Sequence, residues 1–275
     1  MASQENISRV SVEAAENEKP PFELSSRMIK FASVTLLLIL WEIVGRQINP
    51  LFGAPPSGVV REMYEMTLNG RLPEAFMESM QPFVTGFLIA TVAGVVAGMF
   101  LGRSRFIESA FGLYVTAGNA MPLIAVVPLF ILWFGLGFTV KVAIITTLSF
   151  FPICISTWNG VKSTSKTLIE VGESFVASKR DILLKIVLPA SVPHIMGGLR
   201  LAIGKGVIAL VVAEFFTALS GLGGIILTAA NNFETAQMFA PIILLMVFAV
   251  FVTALMEWLE RRIAPWHMEL TGQSE

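Results

Sequence analysis

The sequence predicts an all-α membrane protein with about six transmembrane helices. Of its 275 residues, 55% are hydrophobic and only 14% are charged, whereas soluble domains carry about 25% charged residues. The mean hydropathy is +0.74, and apolar stretches long enough to span a bilayer recur along the chain. Acidic and basic residues nearly cancel, leaving a net charge of −1, so the composition indicates neither nucleic acid nor another polyanion as a partner.

Six apolar segments account for the predicted spans, at residues 31–44, 83–101, 110–134, 140–158, 195–219 and 239–259. Pro122 and Pro128 predict that the third is kinked, or split near Asn119–Pro122. A polar connection at 47–82 separates the first two spans and contains a short amphipathic helix that lies on the membrane surface. Residues 224–233 are expected to dip back toward the membrane.

The ends of the chain and its basic residues predict the domain organisation. Residues 1–27 are polar and are expected to form a disordered cytoplasmic tail, residues 28–263 form the transmembrane domain, and residues 264–275 form a second cytoplasmic tail. Thirteen Lys and Arg residues fall in segments on the side of the N-terminus, against four on the other side. The positive-inside rule therefore places both termini in the cytoplasm.

A charged stretch separates the fourth span from the fifth. Six ionisable residues lie between positions 170 and 185, and burying them in lipid would cost about 18 kcal/mol at roughly 3 kcal/mol each, so this stretch lies in water. Its apolar residues recur at helical spacing and predict one face of a helix: Leu168, Val171, Phe175, Ile182 and Ile186. Pro189 and Pro193 predict that the helix ends there.

This stretch resembles the EAA loop of ABC-importer permeases. Aligned on Leu188-Pro189, Glu170 falls on the family's Glu, while Val176 stands where the family has a Gly that eases the bend between two short helices. The resemblance implies that the loop at 162–193 docks on an ATPase subunit. The residues implied in that role are Glu170, Val171, Gly172, Phe175, Val176, Lys179, Arg180, Ile186, Leu188 and Pro189. An ordinary interhelical loop with a helical turn is the alternative.

The resemblance extends from Pro50 to Arg262 and is greatest to permeases of sulfonate, taurine, nitrate and pyrimidine-type importers. It is carried by residues 55–57, 86–87, 101–104, 122–129, 132–135, 212–214 and 220–223. It implies a type I ABC-importer permease-like fold in the bacterial plasma (inner) membrane. The implied partners are two ATP-binding subunits, an extracytoplasmic solute-binding protein, and a second permease that is either identical or related. The implied solute is small and is an organic anion in several of these importers.

The chain has no residue pattern for chemistry of its own. A phosphate-binding loop needs G-x-x-x-x-G-K-[ST], but Leu199 occupies the first glycine position before Gly204-Lys205-Gly206, and no hydroxyl follows the lysine. Two histidines, one cysteine and one aspartate provide neither a zinc site nor an aspartate pair. The sequence therefore predicts a protein that is not an enzyme and binds no cofactor, with ATP used by its partner subunits.

Within the spans, two sets of residues are candidates for packing and transport. Gly94, Gly98 and Gly102 lie on one face of the second span and would let another helix approach closely, although chance spacing is the alternative. The candidates for lining or gating a path are Asn119, Pro122, Ser149, Thr157 and Glu214. Glu214 could instead be an anchor that accepts N–H bonds from the turn at 220–224.

A secondary transporter or channel that is not coupled to an ATPase is the alternative function. Such a protein normally carries its coupling charges inside the membrane, whereas the deep carboxylate candidate in this sequence is mainly Glu214. The presence of an ATPase and a binding protein as partners is the observation that discriminates between the two functions.

Overall fold

A computed structural model describes residues 26–217 and 220–265, with side chains from residue 28 onward. The predicted N-terminal tail and nearly all of the C-terminal one lie outside this part of the chain. The helices of the described residues are α1 (Ser26–Gln47), α2 (Pro56–Leu68), α3 (Arg71–Arg103), α4 (Arg105–Ala120), α5 (Val127–Phe134), α6 (Phe138–Lys162), α7 (Lys166–Ser174), α8 (Lys179–Ile182), α9 (Leu188–Thr217), α10 (Gly221–Asn231) and α11 (Thr235–Ile263). A 3₁₀ turn at Leu123–Val126 precedes α5, and a π-helical turn at Leu183–Val187 joins α8 to α9.

By length and composition, five of these helical segments could cross a membrane: α1, α3, α6, the continuous helix Lys179–Thr217 and α11. A sixth is formed if α4 and Leu123–Phe134, which are bent by 90° relative to each other, count as one broken span. The break falls at Met121 and Pro122, where the sequence predicts a split. The predicted all-α fold with about six spans is therefore confirmed.

Contacts at one end of the helices join the last residue of α3 to the charged loop. Arg103 Nη2 donates a hydrogen bond to the carbonyl oxygen of Lys179 at 3.1 Å. In the first turn of α4, Glu108 forms an ion pair with Lys162, the last residue of α6, at 2.5 Å. The end of α3, the start of α4 and the end of α6 therefore lie together; we call this the loop end.

Other contacts define the opposite end. Arg71 Nη1, at the start of α3, donates to Gln237 Oε1 in the first turn of α11 at 3.2 Å, and Thr235 Oγ1 donates to the carbonyl oxygen of Leu51 at 2.8 Å. Lys141, near the start of α6, donates to Ser220 Oγ at 2.9 Å. Because α4 starts at the loop end and α6 starts at this far end, the broken pair between them crosses from one end to the other.

Glycines bring the backbones of α3 and α6 into direct contact. A Cβ atom added to Gly98 would lie 2.5 Å from the carbonyl oxygen of Cys154 and 2.6 Å from Thr157 Cβ. One added to Gly94 would lie 2.9 Å from Ile153 Cγ2, and one added to Gly102 would lie 2.5 Å from Val161 Cβ. All three predicted packing glycines thus face α6 at distances that leave no room for a side chain.

Glycines also bring α9 close to a second face of α6. This contact was not predicted from the sequence. A Cβ atom on Gly198 would lie 2.6 Å from Ser156 Cβ, and one on Gly160 would lie 2.7 Å from His194 Cβ. By contrast, a Cβ atom on Gly197 would meet no atom within 4 Å. Small residues therefore let both α3 and α9 pack closely against α6.

Two boundaries predicted from the sequence are wrong. The helix of the second span begins at Arg71 rather than near residue 83, because Leu72, Ala75 and Met80 continue its buried face outward from the apolar core. The prediction that Pro189 ends a helix also fails, since the chain is helical from Lys179 to Thr217.

The π-helical turn and the position of Pro189 explain why the helix continues. Pro189 has no backbone N–H and therefore removes one hydrogen bond inside this continuous helix. The wider π-helical turn at Leu183–Val187 lies directly before it. Within α9, Pro193 is tolerated beside Ser191, whose hydroxyl donates to the carbonyl oxygen of Val187 at 2.7 Å.

A buried carboxylate near the end of α9 organises the far end. Glu214 has no exposed surface. Its Oε1 accepts a hydrogen bond from Ser79 Oγ of α3 at 2.7 Å, and its Oε2 accepts one from the N–H of Gly223 in α10 at 2.7 Å. Lys141 Nζ of α6 lies 3.6 Å from Oε1. These are the contacts that the anchor alternative for Glu214 requires.

The start of α10 folds over this carboxylate. The N–H of Leu222 donates to Ser79 Oγ at 2.9 Å, and the N–H of Gly221 donates to Glu78 Oε2 at 2.9 Å. Gly221 has a φ of +74°, and a Cβ atom there would collide with Glu214 Oε1. Residues 221–226 are all buried, so the first part of the segment 224–233 packs against the other helices, whereas residues 230–233 are exposed.

We predict that Glu214→Ala strongly destabilises the protein, whereas Glu214→Gln does so moderately. Alanine leaves the buried Lys141 ammonium without its counter-charge, which costs about 3–5 kcal/mol. The glutamine variant loses about 1–3 kcal/mol of folding stability, because its NH₂ group cannot accept one of the two hydrogen bonds that Ser79 and Gly223 donate. Thermal unfolding and accumulation in the membrane measure both effects. Glu234→Ala, at an exposed carboxylate before α11, is the control. Normal accumulation of Glu214→Ala with loss of transport would instead indicate a pathway role.

Candidate functional site

The charged loop forms two short helices that pack against each other at the loop end. Gly172 of α7 is buried, and a Cβ atom there would lie 2.8 Å from Ile186 Cδ1 and 3.5 Å from Ile182 Cγ1. Gly172 thus marks the point where α7 crosses the α8 segment. A larger residue at this position would push α7 away from the loop's own second helix.

The apolar residues of the loop divide between two surfaces. Ile182 and Ile186 are half-buried against Gly172, whereas Phe175 and Val176 are 82% and 91% exposed. The prediction of one helix with a single apolar face is therefore wrong, because the chain turns at residues 175–178 and starts a new helix. Ser178 begins that helix by accepting the N–H of Asp181 on its hydroxyl oxygen at 3.1 Å.

We call the exposed apolar surface the loop patch; it consists of Leu168, Val171, Phe175 and Val176. Charged side chains surround it: Glu170, Lys179 and Arg180 are exposed, and Lys185 pairs with Asp181 at 2.8 Å. Among the described residues, the Glu170 carboxylate has no hydrogen-bond partner. Leu188 and Pro189 are half-buried at the start of α9 and lie away from the patch.

Val176 adopts a backbone conformation that favours glycine. Its φ is +56°, in the left-handed region that is rare for β-branched residues. The N–H of Val176 donates to the carbonyl oxygen of Glu173 at 2.9 Å, and that of Ala177 donates to Gly172 at 3.1 Å. These two bonds form a Schellman motif, which ends a helix with a left-handed residue, usually glycine. Val176 occupies that position under strain.

We predict that Val176→Gly stabilises the turn. Relieving a non-glycine residue in this conformation removes about 1–2 kcal/mol of strain, partly offset by the larger entropy of glycine in the unfolded chain. Hydrogen exchange at the Ala177 amide should become several-fold slower after correction for intrinsic rates. Val176→Ala is the matched control and should have a smaller effect because it retains Cβ. Equal or faster exchange in Val176→Gly would contradict the prediction.

Two of the five pathway candidates lie between helices. Ser149 and Thr157 have no exposed surface; Thr157 faces Gly98, and Ser149 Oγ would lie 2.9 Å from a Cβ atom on Gly206 of α9. Neither hydroxyl has a hydrogen-bond partner among the described residues. Their positions are those of packing residues, and Glu214 belongs to the network at the far end.

The other two candidates, Asn119 and Pro122, line a cavity at the break of the third span. The cavity has a volume of about 280 Å³ and is lined by Asn119, Met121, Pro122, Leu123, Ile124, Leu148, Phe151, Lys205 and Ile208. Lys205 Nζ donates a hydrogen bond to Asn119 Oδ1 at 2.9 Å. Lys205 was not predicted from the sequence as a cavity residue; it was considered only in comparison with the phosphate-binding pattern. Its position inside α9, 12 residues before Thr217, is the signal that could have found it.

Comparisons with known proteins agree with this architecture. The family described as "Binding-protein-dependent transport system inner membrane component" matches residues 75–265. The chain is 30% identical to the taurine transport system permease protein TauC of Escherichia coli (strain K12), over 89% of this chain and 92% of the relative. It is also 30% identical to the putative aliphatic sulfonates transport permease protein SsuC of Bacillus subtilis (strain 168), over 86% of this chain and 87% of the relative.

The fold is similar to that of solved structures. An inward-facing structure of the MetNI methionine ABC transporter matches with a TM-score of 0.61 over 70% of this chain and 95% of that chain, at 17% identity. At this identity the likeness bears on the fold alone, whereas the family match and the 30% identical relatives bear on the protein's class. The chain belongs to the binding-protein-dependent transport permeases, the multi-pass inner-membrane components of ABC importers.

Proposed function

We propose that this permease and a second permease copy form the path by which a sulfonate or similar small organic anion enters the cell. In this proposal an extracytoplasmic binding protein delivers the solute. Two ATP-binding subunits dock on the loop at 162–193 and use the ATP, so that this chain binds no cofactor and is not itself an enzyme. The names of the taurine and sulfonate relatives support the solute class.

The loop patch is the observation that carries the coupling role. Phe175 and Val176 are almost fully exposed on a loop that is braced from within by Gly172 and from outside by the bond of Arg103 to Lys179. Exposed aromatic side chains on an ordered surface are typical of binding hot spots, since a partner can cover them without reorganising the loop. The surrounding charges would form the polar rim of that interface.

The distribution of charge supports a cytoplasmic position for the loop end. Arg103, Lys179 and Arg180 lie at this end. The last turn of α11, which adds Arg261 and Arg262, also lies there, because Glu260 beside them pairs with Arg200 in the half of α9 nearer the loop. The positive-inside rule places such a cluster in the cytoplasm. Six crossings then put both ends of the transmembrane domain on the cytoplasmic side.

Cysteine labelling tests this orientation. In a background in which the buried Cys154 is replaced by alanine, Leu68→Cys should react with an impermeant thiol reagent from outside the cell. Lys166→Cys should react only after permeabilisation, since α7 and α2 lie at opposite ends of the transmembrane domain. Both parent residues are exposed, so burial does not limit either reaction. Labelling of both positions from the same side would refute the proposed topology.

We predict that Phe175→Ala lowers co-purification of the ATPase subunits about tenfold or more, because truncation of an aromatic anchor removes the centre of the interface. Solute-stimulated ATP hydrolysis and uptake should fall with it. The unfolding temperature of the isolated permease should not change, since Phe175 is 82% exposed. Phe106→Ala is a matched control, because Phe106 is 80% exposed at the same end of the protein.

Two results would contradict this proposal. Loss of uptake in Phe175→Ala with assembly and stimulated hydrolysis intact would show that the variant impairs the translocation path rather than docking. Uptake by vesicles that contain the permease without its ATPase subunits would favour the alternative function, a secondary transporter or channel. The solute class is tested separately by ATP-dependent uptake of ethanesulfonate in the complete wild-type system.

A further inference from the structure

We propose that Lys205 and Asn119 form an anion-recognition site in the translocation path, which binds the sulfonate or other oxyanion group of the solute as it passes the broken span. This inference rests on the proposed function, because it takes the transported solute to be the ligand. The site would use the Lys205 ammonium as its charge and the Asn119 amide NH₂ as a second donor.

The position of Lys205 along α9 places its charge deep in the transmembrane domain. It follows Leu188 by 17 residues and precedes Thr217 by 12, which corresponds to roughly 26 Å and 18 Å at 1.5 Å per residue. A lysine near the middle of a span costs about 2.5–3.5 kcal/mol on insertion, and such residues line water-filled paths or have a partner. The neighbouring α9 residues Val207 and Ile208 are apolar.

The partner of Lys205 differs in charge from the partners of Lys141 in α6 and Arg200 in α9. Lys141 lies beside Glu214 at 3.6 Å, and Arg200 lies 3.5 Å from Glu257 and 2.9 Å from Glu260. Within the described part of the chain, no carboxylate oxygen lies within 4.0 Å of Lys205 Nζ, and its hydrogen-bond partner is the neutral Asn119 amide. Among the described residues, therefore, no carboxylate forms an ion pair with the positive charge at this cavity.

The break in the third span forms a cavity beside the Lys205 ammonium. Irregular backbone is tolerated at membrane depth where it is buried in protein or lines a cavity, and the break at Met121 and Pro122 lines the cavity that Lys205 enters. Its volume of about 280 Å³ lies just below the range of pockets for drug-sized ligands. An ammonium, an amide and apolar walls together fit a small anion with a short apolar body.

The first experiment tests the site without requiring transport. A cysteine at Met121, which lines the cavity and is 46% exposed, is placed in the Cys154→Ala background of the complete transporter. It is then treated with an anionic sulfonate-bearing methanethiosulfonate or with a cationic trimethylammonium one. A unit charge within about 8 Å in a wet cavity changes each rate roughly twofold in opposite directions. The ratio of anionic to cationic rates should therefore fall about fourfold when Lys205→Gln is added.

The matched control for this measurement is Arg61→Gln. Arg61 is an exposed cation that pairs with Glu65 within α2 at 2.9 Å, so its removal should leave the ratio unchanged. Failure of the cysteine to react with either reagent would show that the cavity does not face water, and this would overturn the inference. An unchanged ratio in Lys205→Gln would overturn it as well.

The second experiment measures uptake of ethanesulfonate by the reconstituted transporter. Lys205→Gln should lower uptake at least tenfold, whereas Lys205→Arg should retain most of it because it preserves the charge. Normal uptake in Lys205→Gln would overturn the inference while leaving the proposed function intact. Absence of uptake in the wild type would instead refute the proposed solute class, and the labelling ratio would then decide whether an anion site is present.

Discussion

The backbone contact between α3 and α6 is the constraint on which the rest of the fold depends. Lipid tails are about as apolar as leucine side chains, so helices in a membrane associate through close packing and polar contacts rather than through hydrophobic burial. Gly94, Gly98 and Gly102 permit that packing along the last third of α3. Because α9 packs on a second face of α6 through Gly160 and Gly198, small residues on two faces of one helix determine how the three central helices are arranged.

Polar contacts then join the ends of the helices that the glycines bring together. At the far end, Glu214 connects α9 to α3, α6 and α10 through Ser79, Lys141 and Gly223. At the loop end, Arg103 joins α3 to the charged loop. The Glu214 carboxylate at the far end is buried among hydrogen-bond donors, which favours a role in stability. The charged side chain that lines the cavity at the broken span is that of Lys205.

Residue type and spacing were sufficient to predict the helical class, the number of spans and the break near Pro122. They were not sufficient where tertiary contacts decide the outcome. Pro189 continues a helix because a π-helical turn precedes it, and Ser149 and Thr157 are buried against glycines of neighbouring helices. The bond between Lys205 and Asn119 depends on how the broken span packs, which the spacing of residues does not give. In each case a residue far away in sequence, or a local departure from regular geometry, determines the result.

The absence of a helix break at Pro189 has a mechanical consequence. Lys179–Thr217 is one helix of 39 residues, with Ile182 and Ile186 packed under the loop at one end and Glu214 in the network at the other. Lys205 lies between them. A force applied to the loop patch by a docked ATPase would pass from α7 to Ile182 and Ile186 and then along this one helix to the cavity. The π-helical turn lies between the loop and the remainder of this helix, and it is the point at which the helix could bend while remaining continuous.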